Sequence, residues 1–223
     1  MIQFSSICKR YPGGHDALNN ITFQVDKGEM LFIAGRSGAG KSTLLKLLLL
    51  IEKPTKGQIV FEKRNLRYLR RRAIPMHRRD IGMIYQNNLL LHDRSVFANV
   101  ALPLEITGHK QHEIKKRVNA ALDKVGLLDH ARKLPRRLST GEQQRVGIAR
   151  AIVSKPKLIL ADEPTGNLDP GLSKEIMDLL IEFNQVGVTV MVVSHDVDLL
   201  LRYGQRVLTL DQGNLIEDYR KKH

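Results

Sequence analysis

Five apolar residues, Met30-Leu31-Phe32-Ile33-Ala34, run without a break into Gly35-Arg36-Ser37-Gly38-Ala39-Gly40-Lys41-Ser42-Thr43, and a leucine-rich stretch follows. Few folds admit this order. A short continuous apolar run reads as a strand buried on both faces, as in parallel sheets covered by helices. The glycines let the backbone curl so that successive N–H groups point inward, and a helix starting near Lys41 aims its positive end at the same place. Strand, anion-cradling loop and helix in succession specify a phosphate-binding α/β unit. Lys41 is expected to be a solvated point charge for phosphate oxygens, and Ser42 offers a hydroxyl suited to Mg²⁺. A plain glycine turn capping a helix would require neither the buried strand nor the lysine and hydroxyl.

The same alternation continues. Residues 2–7 and 17–25 read as strands flanking a turn at Pro12-Gly13-Gly14, and residues 81–85 as a further short strand. Apolar runs at 158–161, 188–193 and 207–210 have the character of buried parallel strands, with a helix over about 172–183 between the first two. Asp211-Gln212-Gly213-Asn214 reads as a closing hairpin turn. Between about 87 and 137 the pattern is helical: Ile114, Val118, Ala121, Leu122 and Val125 recur at steps of three and four, stopped by Gly126. The fold class expected is α/β with a mostly parallel sheet and crossover helices.

Two further sites carry chemistry. The run at 158–161 ends in Asp162-Glu163-Pro164, placing two adjacent acids at the C-terminal end of a buried strand, where open α/β sheets bind their ligands. Asp162 would hold Mg²⁺ directly or through water, and Glu163 would deprotonate an attacking water. Acids before a proline also make turns and helix caps, and only the glycine loop elsewhere in the chain favours the chemical reading. Leu138-Ser139-Thr140-Gly141-Glu142-Gln143 opens a helix through Val153; Ser139 and Glu142 have the spacing of a capping box, and the same helix start can serve as an anion site.

In this order, the glycine loop, Gln86, Leu-Ser-Thr-Gly-Glu, Asp-Glu and His195 resemble the ABC ATPase family over essentially the whole chain. The resemblance implies one ABC domain over 1–223, with an N-terminal antiparallel β-subdomain. The nucleotide-binding core would occupy about 1–86 and 138–223, and an inserted α-helical subdomain about 87–137. It implies ATP with Mg²⁺, bound by Tyr11 stacking on adenine and by Gly35, Arg36, Ser37, Gly38, Ala39, Gly40, Lys41, Ser42 and Thr43. Ser42, Gln86 and Asp162 would serve the metal, and Glu163, Gln86 and His195 the chemistry. It also implies an ATP-dependent head-to-tail homodimer. In that dimer Ser139, Thr140, Gly141 and Glu142 of one subunit would close over the nucleotide of the other, beside a D-loop containing Asp169. Thr140 departs from the family pattern, adding a β-carbon and a hydroxyl where glycine is usual.

Residues 81–86, 120–128 and 182–190 resemble the cell-division branch of that family. This implies an FtsX-like integral membrane partner and, through it, control of cell-wall hydrolases or their activators. ATPases of lipoprotein-releasing and macrolide-export complexes are the alternative. The chain has 36 Lys and Arg against 23 Asp and Glu, a net charge of +13, which favours polyanions or an anionic leaflet. No helix-turn-helix, zinc or aromatic stacking module accompanies that charge, so specific nucleic-acid binding is the remote reading. The longest apolar run, residues 47–51, is far short of the ~20 residues a membrane helix needs, and no secretory leader is visible. One cysteine, Cys8, excludes an internal disulfide and is expected to be buried and inert. The expected location is cytoplasmic, peripheral on the inner face of the cell membrane, with Leu89-Leu90-Leu91 either lining a docking groove or filling the helical subdomain's core.

Overall fold

The structure is a computed structural model that describes residues 1–196 and 202–220. The chain divides into two compact units, Met1–Arg78 with Asn184–His223, and Arg79–Phe183.

In the first unit, β1 (Ile2–Arg10) and β2 (Asp16–Val25) form an antiparallel hairpin around the expected Pro-Gly-Gly turn. β1 also pairs with β4 (Lys56–Phe61), which meets β5 (Arg64–Asn65), giving a four-stranded antiparallel sheet of order β2-β1-β4-β5. Phe4 opposes Phe23 across the first pair, with ring centroids 4.4 Å apart. The register of β1 shifts between Phe4 and Ile7, where Ser6 takes a φ of 49°. The inward face therefore resumes at Ile7 and continues to Lys9, both buried. β3 (Met30–Ala34) is buried throughout and pairs in parallel with β8 (Thr189–Ser194) and β9 (Arg206–Asp211), while β10 (Asn214–Tyr219) returns antiparallel along β9. α1 (Lys41–Leu48) buries Leu44, Leu45, Leu47 and Leu48. α2 (Ile74–Arg79) follows, with His77 fully buried and its Nε2 2.6 Å from the Leu48 carbonyl oxygen.

In the second unit β6 (Ile81–Ile84) and β7 (Leu158–Asp162) pair in parallel. α5 (Thr140–Ile152) packs against β6, α3 (Val96–Ile106) and α4 (Gln111–Lys124) pack against α5 and each other, and α6 (Pro170–Gln185) follows β7 in the chain. α4 buries the predicted stripe of Ile114, Val118, Ala121 and Leu122. The mostly parallel strands joined by helices, with an antiparallel sheet beside them, are the α/β class expected.

Cys8 corrects the sequence reading. It is half-buried, because the register shift at Ile7 and Lys9 turns those two inward and Cys8 the other way; its sulfur accepts the Asn20 N–H at 3.3 Å. Among the described residues no helix is long and apolar enough to cross a membrane.

Candidate functional site

In the first unit, the glycine loop is shaped by what stands behind it. Gly40 is the N-cap of α1 with a φ of 104°, and a β-carbon there would lie 2.6 Å from the Ala17 carbonyl oxygen. At Gly35 a β-carbon would lie 2.4 Å from the Leu210 carbonyl oxygen. Strand ends on either side thus press the loop into a curl that no side chain permits. The Gly213 N–H in the β9–β10 turn donates to the Ala39 carbonyl at 3.2 Å, bracing the loop from a third direction. Arg36, Ser37, Gly38 and Ser42 are exposed on the open side; Ala39 and Thr43 are buried.

Lys41 departs from expectation. It is 7% exposed, not solvated, and its Nζ donates to the carbonyls of Gly35 at 2.6 Å and Arg36 at 3.0 Å. The curl that turns N–H groups inward leaves these carbonyls within reach of the lysine, so the loop holds its own cation centred. Tyr11 sits in the β1–β2 turn with its N–H donating to the His15 carbonyl at 2.9 Å. His195 is exposed directly after β8.

In the second unit, Asp162 ends β7 and Glu163 follows with a φ of 49°, a left-handed conformation that costs a non-glycine residue about 1–3 kcal/mol. The Glu163 carbonyl accepts the Gly166 N–H at 3.1 Å, closing a tight turn. Gln86 lies against that turn: a β-carbon on Gly166 would be 2.9 Å from Gln86 Nε2. Gln86 and the turn that follows the acidic pair are therefore neighbours. A cavity of about 410 Å³ has Gln86, Leu89, Thr140, Gln143 and Asn167 in its lining.

The capping box at α5 is present in full. Ser139 Oγ accepts the Glu142 N–H at 3.3 Å, and Glu142 Oε2 accepts the Ser139 N–H at 2.7 Å. Glu142 Oε1 lies 3.1 Å from His130 Nε2. The Ser139 N–H bond, ahead of other causes, holds the Glu142 carboxyl below the usual range. Glu142 is thus committed to its own helix, while Thr140 is exposed and Gly141 packs beneath, where a β-carbon would meet the Leu172 side chain at 3.0 Å. Asp169 is exposed and its Oδ1 accepts the N–H groups of Gly171 and Leu172, capping α6. Two residues escaped the sequence reading. Lys9 is buried on the inward face of β1, and Arg150, near the end of α5, donates to the carbonyls of Asn88 and Leu89. The signal for Lys9 was a charge at an inward strand position; nothing local marked Arg150.

Residues 18–166 match the family model described as ABC transporter. The chain belongs to the ABC transporter family. This cassette is 55% identical over 215 residues to the cell division ATP-binding protein FtsE of Escherichia coli K12, covering 96% of this chain and 97% of the relative. To FtsE of Bacillus subtilis it is 44% identical over 218 residues, covering 98% and 96%. The solved ATP-binding cassette MJ0796, a dimer in a post-hydrolysis state bound to ADP and Pi, superposes with a TM-score of 0.90 at 34% identity, each chain covered completely. The chain is an FtsE-like ABC cassette.

Proposed function

We propose that this cassette binds Mg²⁺-ATP, closes head to tail with a second copy, and hydrolyses ATP to drive an FtsX-like integral membrane protein in bacterial cell division. The observation that carries this reading is the pairing of a glycine loop crowded into a phosphate-binding curl with near-full-length likeness to FtsE. The cell-wall hydrolases, or their activators, would respond through the membrane partner.

Tyr11 stacks on adenine. The loop N–H groups from Gly35 to Thr43 and the Lys41 ammonium take the phosphates. Among the described residues no group of three or more His, Cys, Asp or Glu is placed to hold a metal. The hard oxygens of Ser42, Gln86 and Asp162 instead suit Mg²⁺ that keeps waters and phosphate oxygens as its other ligands. Held by these residues, Mg²⁺ would supply neutralisation of phosphate charge. Glu163 takes the proton of a water as it attacks the γ-phosphorus; the bond to the bridging oxygen breaks, giving ADP and phosphate. Gln86 orients that water and His195 contacts the γ-phosphate. The exposed N-terminus of α5, with Ser139, Thr140 and Gly141, takes the γ-phosphate held by the other copy, with Asp169 beside it.

Attachment is to the inner face of the membrane through the partner, strengthened by basic clusters at roughly 1 kcal/mol per group near an anionic leaflet. Arg70, Arg71 and Arg72 are exposed; Lys221 and Lys222 of the basic tail lie outside the described residues.

The test is light scattering of Glu163→Gln with and without Mg²⁺-ATP. Monomers should become dimers on adding ATP, and Gly141→Trp in the same background should bind ATP yet stay monomeric. Monomers under every condition would overturn the sandwiched dimer.

A further inference from the structure

Lys9 occupies a position on the inward face of β1 where the pattern set by Ile2, Phe4 and Ile7 calls for an apolar side chain. It is 8% exposed, and burying an ammonium is unfavourable without compensating partners. The partners are specific. Its Nζ donates to Glu52 Oε2 at 2.7 Å and to the Lys53 carbonyl at 3.0 Å, and it stands 4.8 Å from the centroid of the Tyr11 ring.

These partners belong to different parts of the first unit. Glu52 and Lys53 lie just beyond α1, the helix that begins at the glycine loop, and Tyr11 belongs to the β1–β2 turn. The strand end is stitched to the same segment: the Thr55 N–H donates to the Cys8 carbonyl at 2.8 Å, and Thr55 Oγ1 accepts the Arg10 N–H at 3.0 Å. The Tyr11 hydroxyl is buried and without a hydrogen-bond partner among the described residues. No bond through the phenol oxygen therefore sets the ring, and the cation over one of its faces does so instead.

We infer that Lys9 is a positioning residue for base recognition: anchored to Glu52, it backs one face of Tyr11 and fixes the other at a set distance from the phosphate loop. This rests on the reading of Tyr11 as the adenine platform. A base-free polyphosphate uses the loop alone, whereas ATP uses loop and ring together. Loosening Lys9 should weaken ATP and leave the base-free ligand unaffected.

The experiment measures affinity for ATP and for inorganic tripolyphosphate by competition against a fluorescent ATP analogue, in the full chain. Lys9→Met keeps the aliphatic length and removes the charge. ATP affinity should fall about five- to thirtyfold, the span of a partly to fully desolvated cation–π contact, with tripolyphosphate unchanged. Glu52→Gln should move ATP affinity in the same direction by less, and Lys9→Arg should restore it to within about threefold, since a guanidinium keeps both the ring contact and the carboxylate. Tyr11→Ala separates the two ideas. If Tyr11→Ala leaves the ratio of the two affinities unchanged, the stacking reading fails and the inference with it. If Tyr11→Ala changes the ratio and Lys9→Met does not, stacking stands and the role of Lys9 is overturned. An equal loss for both ligands in Lys9→Met would make the residue a mere scaffold of the loop and also overturn it. Should Lys9→Met not fold, Glu52→Gln carries the same comparison: ATP weakened with tripolyphosphate unchanged supports the role of Lys9, and an unchanged ratio overturns it.

Discussion

Arg206 grips Asp218 with two parallel bonds, Nε to Oδ1 at 2.7 Å and Nη2 to Oδ2 at 2.6 Å, while its Nη1 donates to Glu29 Oε1 and the Gln24 carbonyl. The Arg206 side chain is 5% exposed, so the arginine is the buried partner and Asp218 the rim. The fork joins β9 to β10 and ties both to the loop before β3. Removing the carboxylate with Asp218→Asn leaves a buried guanidinium short of one counter-charge. The expected loss at pH 7 is about 1–3 kcal/mol, below the usual penalty for a fully buried pair because Asp218 is partly in water. The bonds from Arg206, first among the causes, hold the Asp218 carboxyl below its ordinary value. A depressed carboxylate contributes stability in full above its unfolded value, about 3.9, and loses it as pH falls through the lowered folded value. Urea midpoints should therefore separate wild type from Asp218→Asn at pH 7 and converge as the pH falls through the lowered Asp218 value. A gap that persisted in acid would mean that the ion pair is not its source.

Gly40→Ala should abolish nucleotide binding and cost stability together. The new β-carbon would press on the Ala17 carbonyl and on Leu18 Cδ2, 2.6 and 2.7 Å away, at a φ of 104°. Strain of this kind costs on the order of 1–3 kcal/mol before any clash is counted. Gly38→Ala is the control: its φ is 81°, but nothing stands within 4 Å of the added carbon. Thermal melts should rank Gly40→Ala well below Gly38→Ala. Equal melts would show that crowding does not shape the loop.

Glu163→Gln should bind ATP like wild type and hydrolyse it ~10²–10⁴-fold more slowly, the usual worth of a general base. The side chains are isosteric, so the left-handed turn at Glu163 and its contact with Gly166 should survive. Phosphate release at saturating ATP measures the effect. A rate within a few-fold of wild type would transfer the role of base to another residue, with His195 the first candidate.

Much of this was legible in the chain because the relevant signals are local. The strand Met30–Ala34 stands where its apolar run placed it, α5 begins at its Ser139 cap, and α4 buries its predicted stripe. What escaped depends on partners distant in sequence. β4 carries Gln58 and Lys56 among its apolar residues and is defined by pairing with β1. α3, by contrast, lies within the stretch over about 87–137 that reads as helical, and Ser95 caps its start. Lys41 reads as a solvated cation until the curl brings the Gly35 and Arg36 carbonyls to it. Arg150 is 61 and 62 residues from the carbonyls it holds, and no periodicity reports such a contact.

Leu89 and Leu90 divide the two readings left open for the leucines after Gln86. Leu90 is 7% exposed and belongs to the core; Leu89 is 61% exposed and held at a φ of 48°. That conformation is unfavourable for leucine, and Arg150 maintains it by donating to the Leu89 carbonyl at 2.9 Å and to that of Asn88. An apolar side chain displayed in a strained turn at the rim of the 410 Å³ cavity contributes little to the fold and is well placed for a partner. Leu89→Gly should consequently leave stability within ~1 kcal/mol of wild type, since relief of strain offsets the flexibility of glycine in the unfolded chain. Leu90→Ala should cost ~2–5 kcal/mol as a core truncation. Arg150→Met strips two carbonyls of their donor and should cost ~1–3 kcal/mol while letting the turn relax. The functional readout is retention on membranes containing the proposed FtsX-like partner. Leu89→Gly and Arg150→Met should both lose retention, Leu89→Gly with its urea midpoint intact. A Leu89→Gly variant retained as well as wild type would remove this turn from the docking surface, and one that unfolded like Leu90→Ala would return Leu89 to the core.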